Sequence, residues 1–425
     1  MSIPRADLMR DRRLATIVLM SRGMIEGTHA YDVLIIGGGP VGCQVAVGLA
    51  GRGHRVAVLE RKLDPGTDVC CTGIVSEECV REYSIDESLI WRHVRGARLI
   101  APSGGELAFQ RDRPQAAVLD RGAFNAAWVG RARRAGANVL LGTRVTGIVV
   151  DADSASVRTI GVGGEEGRME ARVAVIAVGA SAGPAAAAGL GRCADVALGA
   201  QAEVAADGID FVSIYNGDRV SPGFFGWLVP TRPGRALVGL LCRRHPRERL
   251  NAFVAALAGA GKVDAAGAAV RLGSVTLAPL ARTYADRIIV VGTAAGQVKP
   301  VTGGGIYFGL LCADVAARTL DRALTANDLS ARRLAAYQRG WKRRIGRELL
   351  AGRWARRLYE RLTDGQLDKI VDIMARDRTL DAALQEPDVS FDGHGALVRY
   401  LIGNTALAKL VGVGLLRGRT KRDSW

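Results

Sequence analysis

Short apolar runs alternate with segments of helical pattern along most of the chain. Residues 33–36 and 56–59 are apolar runs of the length expected for buried strands. A glycine-rich turn and a helical pattern lie between them. This order of strand, helix and strand predicts the first unit of a parallel, doubly wound α/β domain.

The pattern beyond residue 60 predicts a polar loop and then further strands and helices. The loop is expected over residues 61–84. The strands are expected at residues 98–100, 107–109, 138–151, 173–183 and 235–242. The helices are expected within residues 118–136, which begin through Asp120, and within residues 287–319, after a strand and a loop. From Ser330 onward the sequence is helical and basic.

The first glycine-rich turn has the spacing of a dinucleotide-binding site. Gly37, Gly39 and Gly42 stand in the order G-x-G-x-x-G at the start of the predicted helix. Gly39 lets the backbone approach a pyrophosphate, which the amides of a helix N-terminus favour. Glu60 ends the second strand, where a carboxylate can bind a ribose hydroxyl and disfavours a 2′-phosphate. The alternative is a glycine turn that binds no ligand.

Composition and charge narrow the classes of function. The 425 residues carry a net charge of +16 but only 5% aromatic residues. The arginines are scattered, so no nucleic-acid partner is expected. An anionic membrane surface, an acidic substrate or a generally arginine-rich composition explains the charge. Seven cysteines without paired metal-ligand spacing predict no disulfide framework and no metal site, and they fit a reducing cytoplasm.

Five separated motifs resemble those of FAD-dependent geranylgeranyl reductases, within the larger group shaped like p-hydroxybenzoate hydroxylase. The similarity extends from about residue 31 to about residue 362. The motifs are GGGPVG with Glu60, CCTG at residues 70–73, LDRGAFN at 119–125, PGFFGWLVP at 222–230 and VGTAAGQVKPVTGGGI at 291–306. The resemblance implies an α/β fold in which a Rossmann-type FAD-binding domain contains an inserted mixed or antiparallel β-sheet and precedes a helical C-terminal region.

The resemblance also implies which residues bind FAD. They are Gly37, Gly39, Pro40, Val41, Gly42, Glu60, Arg61, Cys70, Cys71, Gly73, Arg121, Val145, Gly179, Gly292, Thr293, Pro300, Gly303, Gly304, Gly305 and Ile306. Free amides at the helix that follows Gly303–Gly305 would favour the anion of reduced flavin. Thr293 stands where the family has an aspartate, so its hydrogen bond to the ribityl chain is expected to be weaker.

The implied reaction is reduction of carbon–carbon double bonds in a geranylgeranyl or other isoprenoid lipid. Cys70 or Cys71 is the candidate proton donor, and Phe225, Trp227 and Pro230 form the candidate substrate wall. The same aromatic residues could instead be sheet core. A flavin-dependent monooxygenase or halogenase is an alternative, because FGWLVP also resembles a halogenase motif, and a non-catalytic electron carrier is another. The electron donor, whether NADPH, ferredoxin or another, is not identified by the sequence.

The expected organisation has four parts. Residues 1–30 form a disordered or extension arm, residues 31–196 and 276–325 the FAD-binding domain, residues 197–275 the substrate domain, and residues 326–425 the helical region with a basic tail. No run of about twenty residues is apolar enough for a confident membrane span. Residues 397–422 mix apolar and basic positions and predict a segment in a membrane interface, or a helix packed on the domain. We expect a cytoplasmic protein, peripheral to the inner face of the cell membrane.

Overall fold

The computed structural model describes residues 30–376, 391–393 and 407, and the strands and helices below are those of these residues. The strands are β1 (Tyr31–Ile36), β2 (Val56–Leu59), β3 (Ile74–Ser76), β4 (Ile90–Val94), β5 (Gly96–Ile100), β6 (Glu106–Gln110), β7 (Ala116–Leu119), β8 (Asn138–Leu140), β9 (Arg144–Val150), β10 (Ala155–Ile160), β11 (Glu166–Ile176), β12 (Val196–Ala205), β13 (Val212–Asn216), β14 (Phe225–Pro230), β15 (Arg235–Cys242), β16 (Arg271–Thr276), β17 (Tyr284–Ala285) and β18 (Ile288–Val290). The helices are α1 (Pro40–Ala50), α2 (Glu77–Glu82), α3 (Arg121–Arg134), α4 (Gly183–Ala187), α5 (Pro246–Gly259), α6 (Ile306–Thr325), α7 (Ala331–Tyr359) and α8 (Asp364–Arg376).

The first sheet is the Rossmann-type layer. Its central strands β18, β11, β1, β2 and β8 are parallel neighbours, and β9 and β10 extend it from β11 by antiparallel pairing. One face packs against α1, α3, α6 and α7 in a single apolar core. The other face packs against β9, β10 and α4. The predicted α/β fold with a Rossmann-type sheet and a helical C-terminal region is confirmed.

The second sheet has the strand order β16-β12-β15-β14-β13-β5-β6. It is mixed, because β5 runs parallel to β13 whereas the other neighbours are antiparallel. The α5 helix packs against one face through Leu250, Phe253 and Leu257. The interval 197–275 therefore supplies only part of this sheet, since β5 and β6 come from an earlier stretch of the chain. The boundaries of the domains stay a prediction.

The predicted loop over residues 61–84 is partly wrong. Ile74–Ser76 forms β3, which pairs with β7 in a third sheet of order β3-β7-β4. The α2 helix follows directly, and the Ser76 hydroxyl accepts a hydrogen bond from the amide of Cys79 at 3.0 Å. A three-residue strand is too short to show an alternating pattern of apolar residues. Its hydrogen bonds come from a partner strand about forty residues away, so no local signal predicts it either. The predicted arm at residues 1–30 and the predicted tail segment at residues 397–422 lie outside the described residues, apart from residue 30 and Leu407.

Close packing of α1 against α6 generates a test of the fold. A Cβ atom at Gly48 would lie 2.6 Å from Cβ of Ala317, so the helices would have to separate. Overpacking destabilises a protein by about 1–3 kcal/mol, whereas replacing a glycine by alanine within a helix stabilises it by about 0.5–1 kcal/mol. We expect Gly48→Ala to lower the free energy of unfolding by about 1 kcal/mol in urea denaturation.

Gly130→Ala in α3 is the matched control. A Cβ atom there meets only the Nη1 atom of Arg134, the flexible end of a side chain, at 3.2 Å. We expect this variant to be as stable as the wild type or slightly more stable. Equal effects of the two substitutions would contradict the inferred helix contact.

Candidate functional site

The turn between β1 and α1 is shaped by backbone contacts that exclude side chains. Gly37 has a φ of 110°, and a Cβ atom there would collide with the carbonyl oxygen of Ala177. A Cβ atom at Gly42 would collide with the carbonyl oxygen of Gly37. Gly39 is different, because a Cβ atom there would have no heavy atom within 4 Å. The α1 helix begins after Gly39, at Pro40, without a side-chain cap, so its first amides are available to an anion.

Glu60 stands at the end of β2 beside this turn. Its Oε2 atom accepts a hydrogen bond from the amide of Gly38 at 2.8 Å, and its Oε1 atom accepts one from the amide of Lys62 at 2.9 Å. Both carboxylate oxygens are thereby oriented, and each keeps a lone pair for a further donor. Arg61, the next residue, is exposed to solvent.

The CCTG loop and the start of α3 meet at Arg121. Gly73 has a φ of 77°, and a Cβ atom there would lie 2.8 Å from Cγ of Arg121, so only glycine admits this side chain. Arg121 donates from Nη2 to Oδ1 of Asn125 at 2.8 Å, and Asn125 donates to the carbonyl of Pro65 at 3.0 Å. The Nε and Nη1 atoms of Arg121 are buried and have no hydrogen-bond partner in the part of the chain that the structure describes. Unpaired buried donors need a partner outside the described protein atoms, and a bound ligand can supply it.

The two candidate cysteines lie where the loop touches the second sheet. Both are half-buried free thiols. Cys70 contacts β16, with its Sγ atom 3.5 Å from the carbonyl oxygen of Arg271. Burial raises the pKa of the Cys70 thiol from 9.0 to about 11. Cys70 is therefore a neutral thiol at physiological pH, which is able to donate a proton but is not an activated nucleophile.

The second glycine loop precedes α6, which begins after Gly305 without a side-chain cap. Lys299 holds its ends together: its amide donates to the carbonyl of Gly304 at 3.0 Å, and its carbonyl accepts from the amide of Gly303 at 2.9 Å. Gly303 has a φ of 72° and faces the second sheet, where a Cβ atom would lie 3.1 Å from Leu241. The Thr293 hydroxyl lies 3.2 Å from the Cβ position of Gly305.

The two glycine loops are brought together by Val41. A Cβ atom at Gly292 would lie 3.0 Å from Cγ1 of Val41, and one at Gly309 would lie 2.5 Å from its Cγ2. Gly292 itself has a φ of 72°, and its amide donates to Oε1 of Gln297 at 2.7 Å. The N-termini of α1 and α6 are thus held at one side of the first sheet. The sequence analysis did not predict a role for Gln297, although this residue lies within the motif at residues 291–306.

The other predicted cofactor residues lie around this frame. Val145 lies in β9 and packs in the apolar cluster on the face of the first sheet that is opposite α1 and α6. Gly179 follows β11 with a φ of 69° and has open space at its Cβ position. Pro300 is buried against α7, since a Cβ atom at Gly352 would lie 2.8 Å from its Cδ atom. Ile306 is half-buried in the first turn of α6.

The candidate substrate wall is divided between the two faces of β14. Phe225 and Trp227 are half-buried, with their ring centroids 6.2 Å apart. The Nε1 atom of Trp227 is buried and finds no hydrogen-bond partner among the described residues. Pro230 does not join them, because side chains alternate along a strand and Pro230 shares the face of Leu228, which packs toward α5. Pro230 therefore lies on the opposite face of β14 from Phe225 and Trp227, and the substrate wall stays a prediction.

A buried ion pair beside the second glycine loop was not predicted. Nζ of Lys299 lies 2.5 Å from Oδ1 of Asp392, and the two side chains are only 5% and 6% exposed. Asp392 follows Phe391 in the described segment 391–393. The sequence carries no signal for this contact, because 93 residues separate the partners.

These features fit a dinucleotide cofactor. Two uncapped helix N-termini favour phosphate and other negative charge, and Glu60 can accept from ribose hydroxyls. Arg121 adds buried donors that have no other partner in the described chain. Comparison with known protein families supports FAD as this cofactor. A family model described as FAD dependent oxidoreductase matches residues 32–113.

Proteins of known structure share the whole fold. A geranylgeranyl bacteriochlorophyll reductase-like protein from Thermoplasma acidophilum matches with a TM-score of 0.81 at 24% identity, over 91% of this chain and 100% of that chain. The myxobacterial chondrochloren halogenase matches with a TM-score of 0.60 at 17% identity, over 93% of this chain and 92% of that chain. At these identities the likeness concerns the fold alone.

Sequence relatives are more informative. A digeranylgeranylglycerophospholipid reductase of Methanocaldococcus jannaschii is 29% identical over 364 residues, which cover 83% of this chain and 92% of the relative. Digeranylgeranylglycerophospholipid reductase 2 of Methanothermobacter thermautotrophicus is 31% identical, over 80% of this chain and 91% of the relative. The family predicted from the five motifs is confirmed, and an enzyme is favoured over an electron carrier. The chain is an FAD-dependent oxidoreductase that belongs to the geranylgeranyl reductase family represented by these proteins.

Proposed function

We propose that this enzyme reduces carbon–carbon double bonds in the geranylgeranyl or other isoprenoid chain of a lipid. The observation that carries the proposal is the junction of three motifs at the second sheet. The CCTG loop contacts β16 through Cys70, the second glycine loop contacts β15 through Gly303, and β14 presents Phe225 and Trp227. The names of the relatives, which specify an isoprenoid lipid, support the same class of substrate.

The proposed FAD site follows the two helix N-termini. The α1 turn and Glu60 would hold the pyrophosphate and the adenosine ribose, and the loop at residues 303–305 would hold the ring end. Arg121 would donate its free N–H groups to the cofactor between these ends. The proposed FAD-binding set is completed by four further residues: Arg61, Val145, Gly179 and Thr293.

Each part of the chain then has a defined task in the reaction. Bound FAD supplies a hydride once it has been reduced. The amides at the start of α6 would favour negative charge on a flavin ring held there, which would make its reduction easier. The thiol of Cys70 or Cys71 supplies the proton to the second alkene carbon. Phe225, Trp227 and the apolar face of the second sheet exclude water from the alkene.

Cofactor binding gives the first test of this assignment. Glu60→Gln removes a charge that orients two backbone amides and is expected to accept from ribose hydroxyls. Arg121→Gln removes the unpaired donors. Loss of a charge-assisted hydrogen bond costs about 1.5–3 kcal/mol, so we expect each variant to bind FAD about 10- to 100-fold more weakly.

Titration of the apoprotein with FAD, followed by flavin fluorescence, measures this change. Glu106→Gln is the matched control, because Glu106 is an exposed carboxylate on β6 that pairs with Arg98 at 3.3 Å. Wild-type affinity in both site variants would show that the cofactor is held by other residues.

Single-turnover reduction tests the reaction itself. The FAD-loaded protein is reduced anaerobically with dithionite, so no natural electron donor is needed, and a geranylgeranyl lipid is then added. We expect flavin reoxidation together with a lipid that has gained two hydrogen atoms per reduced bond. If Cys70 is the donor, Cys70→Ala slows this step by about 100-fold or more, and Cys71→Ala tests the neighbouring thiol in the same way.

Cys242→Ala is the matched control, because this thiol is buried in β15 on the face that packs toward α5. Reoxidation by oxygen alone, with a hydroxylated or halogenated product, would contradict the proposed reaction. Wild-type rates in both loop variants would leave the reductase intact and remove the cysteines from the mechanism.

We further propose that the enzyme meets its lipid at an anionic membrane surface through the outer face of α7. No helix in the described part of the chain is long and apolar enough to cross a membrane. On α7, however, Leu350 and Trp354 are 58% and 62% exposed. Arg343, Arg347 and Arg357 are exposed on the same face at helical spacing. Apolar residues flanked by arginines are typical of surfaces that lie in a bilayer interface.

Grooves between α6 and α7 extend this cationic surface. Two adjoining grooves of about 380 and 440 Å³ share Thr319, Arg322 and Ala336 in their walls. The arginines that line them are Arg318, Arg322, Arg332, Arg333, Arg339, Arg343 and Arg344. Lipid phosphates are suitable ligands for such guanidinium groups.

Vesicle binding tests the membrane contact. We expect Leu350→Ser/Trp354→Ser to bind anionic vesicles about tenfold more weakly than the wild type, because two apolar side chains no longer enter the interface. Sedimentation at low and high salt measures apolar and ionic contributions separately. Leu272→Ser, at a 49% exposed position on β16, is the control. Equal binding by the double variant and the wild type would exclude this face, and a chain ending at residue 395 tests the tail.

A further inference from the structure

The ion pair between Lys299 and Asp392 is unusual in its burial and in its surroundings. Nζ of Lys299 lies 2.5 Å from Oδ1 of Asp392, 3.4 Å from the carbonyl oxygen of Phe391 and 4.3 Å from the centroid of the Phe391 ring. Oδ2 of Asp392 is buried without a hydrogen-bond partner in the described chain. Desolvating such a pair usually costs more than an apolar contact would, so stability alone does not account for it.

One partner belongs to the second glycine loop. The backbone of Lys299 bonds to Gly303 and Gly304 in both directions, and a Cβ atom at Gly304 would lie 2.7 Å from Cε of Lys299. The side chain of Lys299 thus starts directly beneath the turn that precedes α6. Through the ion pair, this turn fixes the position of residues 391 and 392.

The other partner carries an aromatic ring to the proposed substrate site. Phe391 packs against the buried cluster of Val118, Val229 and Leu237, which Ile74 and Trp227 also contact. Ile74 directly follows the CCTG loop, and Trp227 belongs to the proposed substrate wall. Phe391 therefore lies among residues of two of the five motifs, with Trp227 and Val229 on one side and Lys299 on the other, and near Ile74, which directly follows a third motif, although Phe391 belongs to none of them.

We propose that Phe391 is a specificity-determining residue that lines the isoprenoid site beside Trp227, and that the Lys299–Asp392 pair positions it. The inference rests on the proposed reductase function. A phenyl ring suits a methyl-branched hydrocarbon, and mutual neutralisation of the two charges keeps the neighbourhood of that hydrocarbon apolar. Lys299 and Asp392 act through Phe391, so they are positioning residues.

The test compares two substitutions of opposite size. Phe391→Ala enlarges the site and Phe391→Trp reduces it. The measured quantity is the ratio of kcat/KM for a geranylgeranyl lipid to that for the shorter farnesyl lipid, with dithionite as reductant. Volume changes of this kind in an apolar pocket alter discrimination by about tenfold or more, so we expect the two variants to shift the ratio in opposite directions. Misfolding would not produce opposite shifts.

Asp392→Asn and Lys299→Gln test the positioning role. We expect both to increase KM and to weaken discrimination between the two lipids, and we expect the flavin content of purified Asp392→Asn to stay close to that of the wild type. Asp195→Asn is the control, because it breaks an exposed pair in which Oδ1 lies 2.6 Å from Nη1 of Arg243.

The outcomes separate the two levels of inference. If the wild type reduces neither lipid, the proposed function fails. If the wild type reduces both lipids and the ratio is unchanged in Phe391→Ala and Phe391→Trp, the function stands and the role of Phe391 is overturned. Loss of flavin without a change in the ratio in Asp392→Asn would overturn the positioning role and make the pair a structural part of the cofactor loop.

Discussion

The site depends on the close approach of α1 to α6. This approach is possible because glycines stand where the helices and their preceding loops meet: Val41 fits against Gly292 and Gly309, and Ala317 fits against Gly48. A Cβ atom at Gly292 or Gly309 would press on Val41 near the two helix N-termini, and one at Gly48 would press on Ala317 further along the same helices. Since each N-terminus lacks a side-chain cap, both keep amides for a negatively charged ligand. Two such helix ends, held side by side, match a cofactor that carries a pyrophosphate in its middle and, at one end, a ring that becomes anionic on reduction.

Two cations with buried nitrogen atoms, Arg121 and Lys299, lie in the candidate site, and they differ in whether their charge is paired. The free N–H groups of Arg121 are buried, and they were found unpaired among the described residues, which is costly unless a ligand accepts from them. Lys299 is buried as well, but Asp392 compensates its charge at 2.5 Å. The two cations therefore serve different purposes. Arg121 keeps N–H groups that we propose the cofactor accepts from, whereas the charge of Lys299 is already paired with Asp392, which lies 93 residues further along the chain.

Features whose interacting residues lie close together in the sequence could be predicted, and features whose residues lie far apart in the sequence could not. The first glycine turn and Glu60 lie within 28 residues of sequence, and their spacing alone specified a dinucleotide site. By contrast, β3 went unrecognised because its pairing with β7 is not local. Pro230 was grouped with Phe225 and Trp227 by their common motif, yet strand alternation turns it to the opposite face. The Lys299–Asp392 pair joins residues 93 positions apart, which no local pattern can indicate.

The contact between the CCTG loop and the second sheet sets the protonation state of Cys70. Contact with β16 buries this thiol and raises its pKa to about 11, so the proton is present throughout the neutral range. The same burial disfavours the thiolate that would remain after proton transfer. A donor of this kind gives up its proton only to a strongly basic acceptor, such as an alkene carbon that gains negative charge as hydride arrives at its neighbour. In the proposed reaction, the burial that raises the pKa of Cys70 would therefore also keep its proton in place until the substrate is bound.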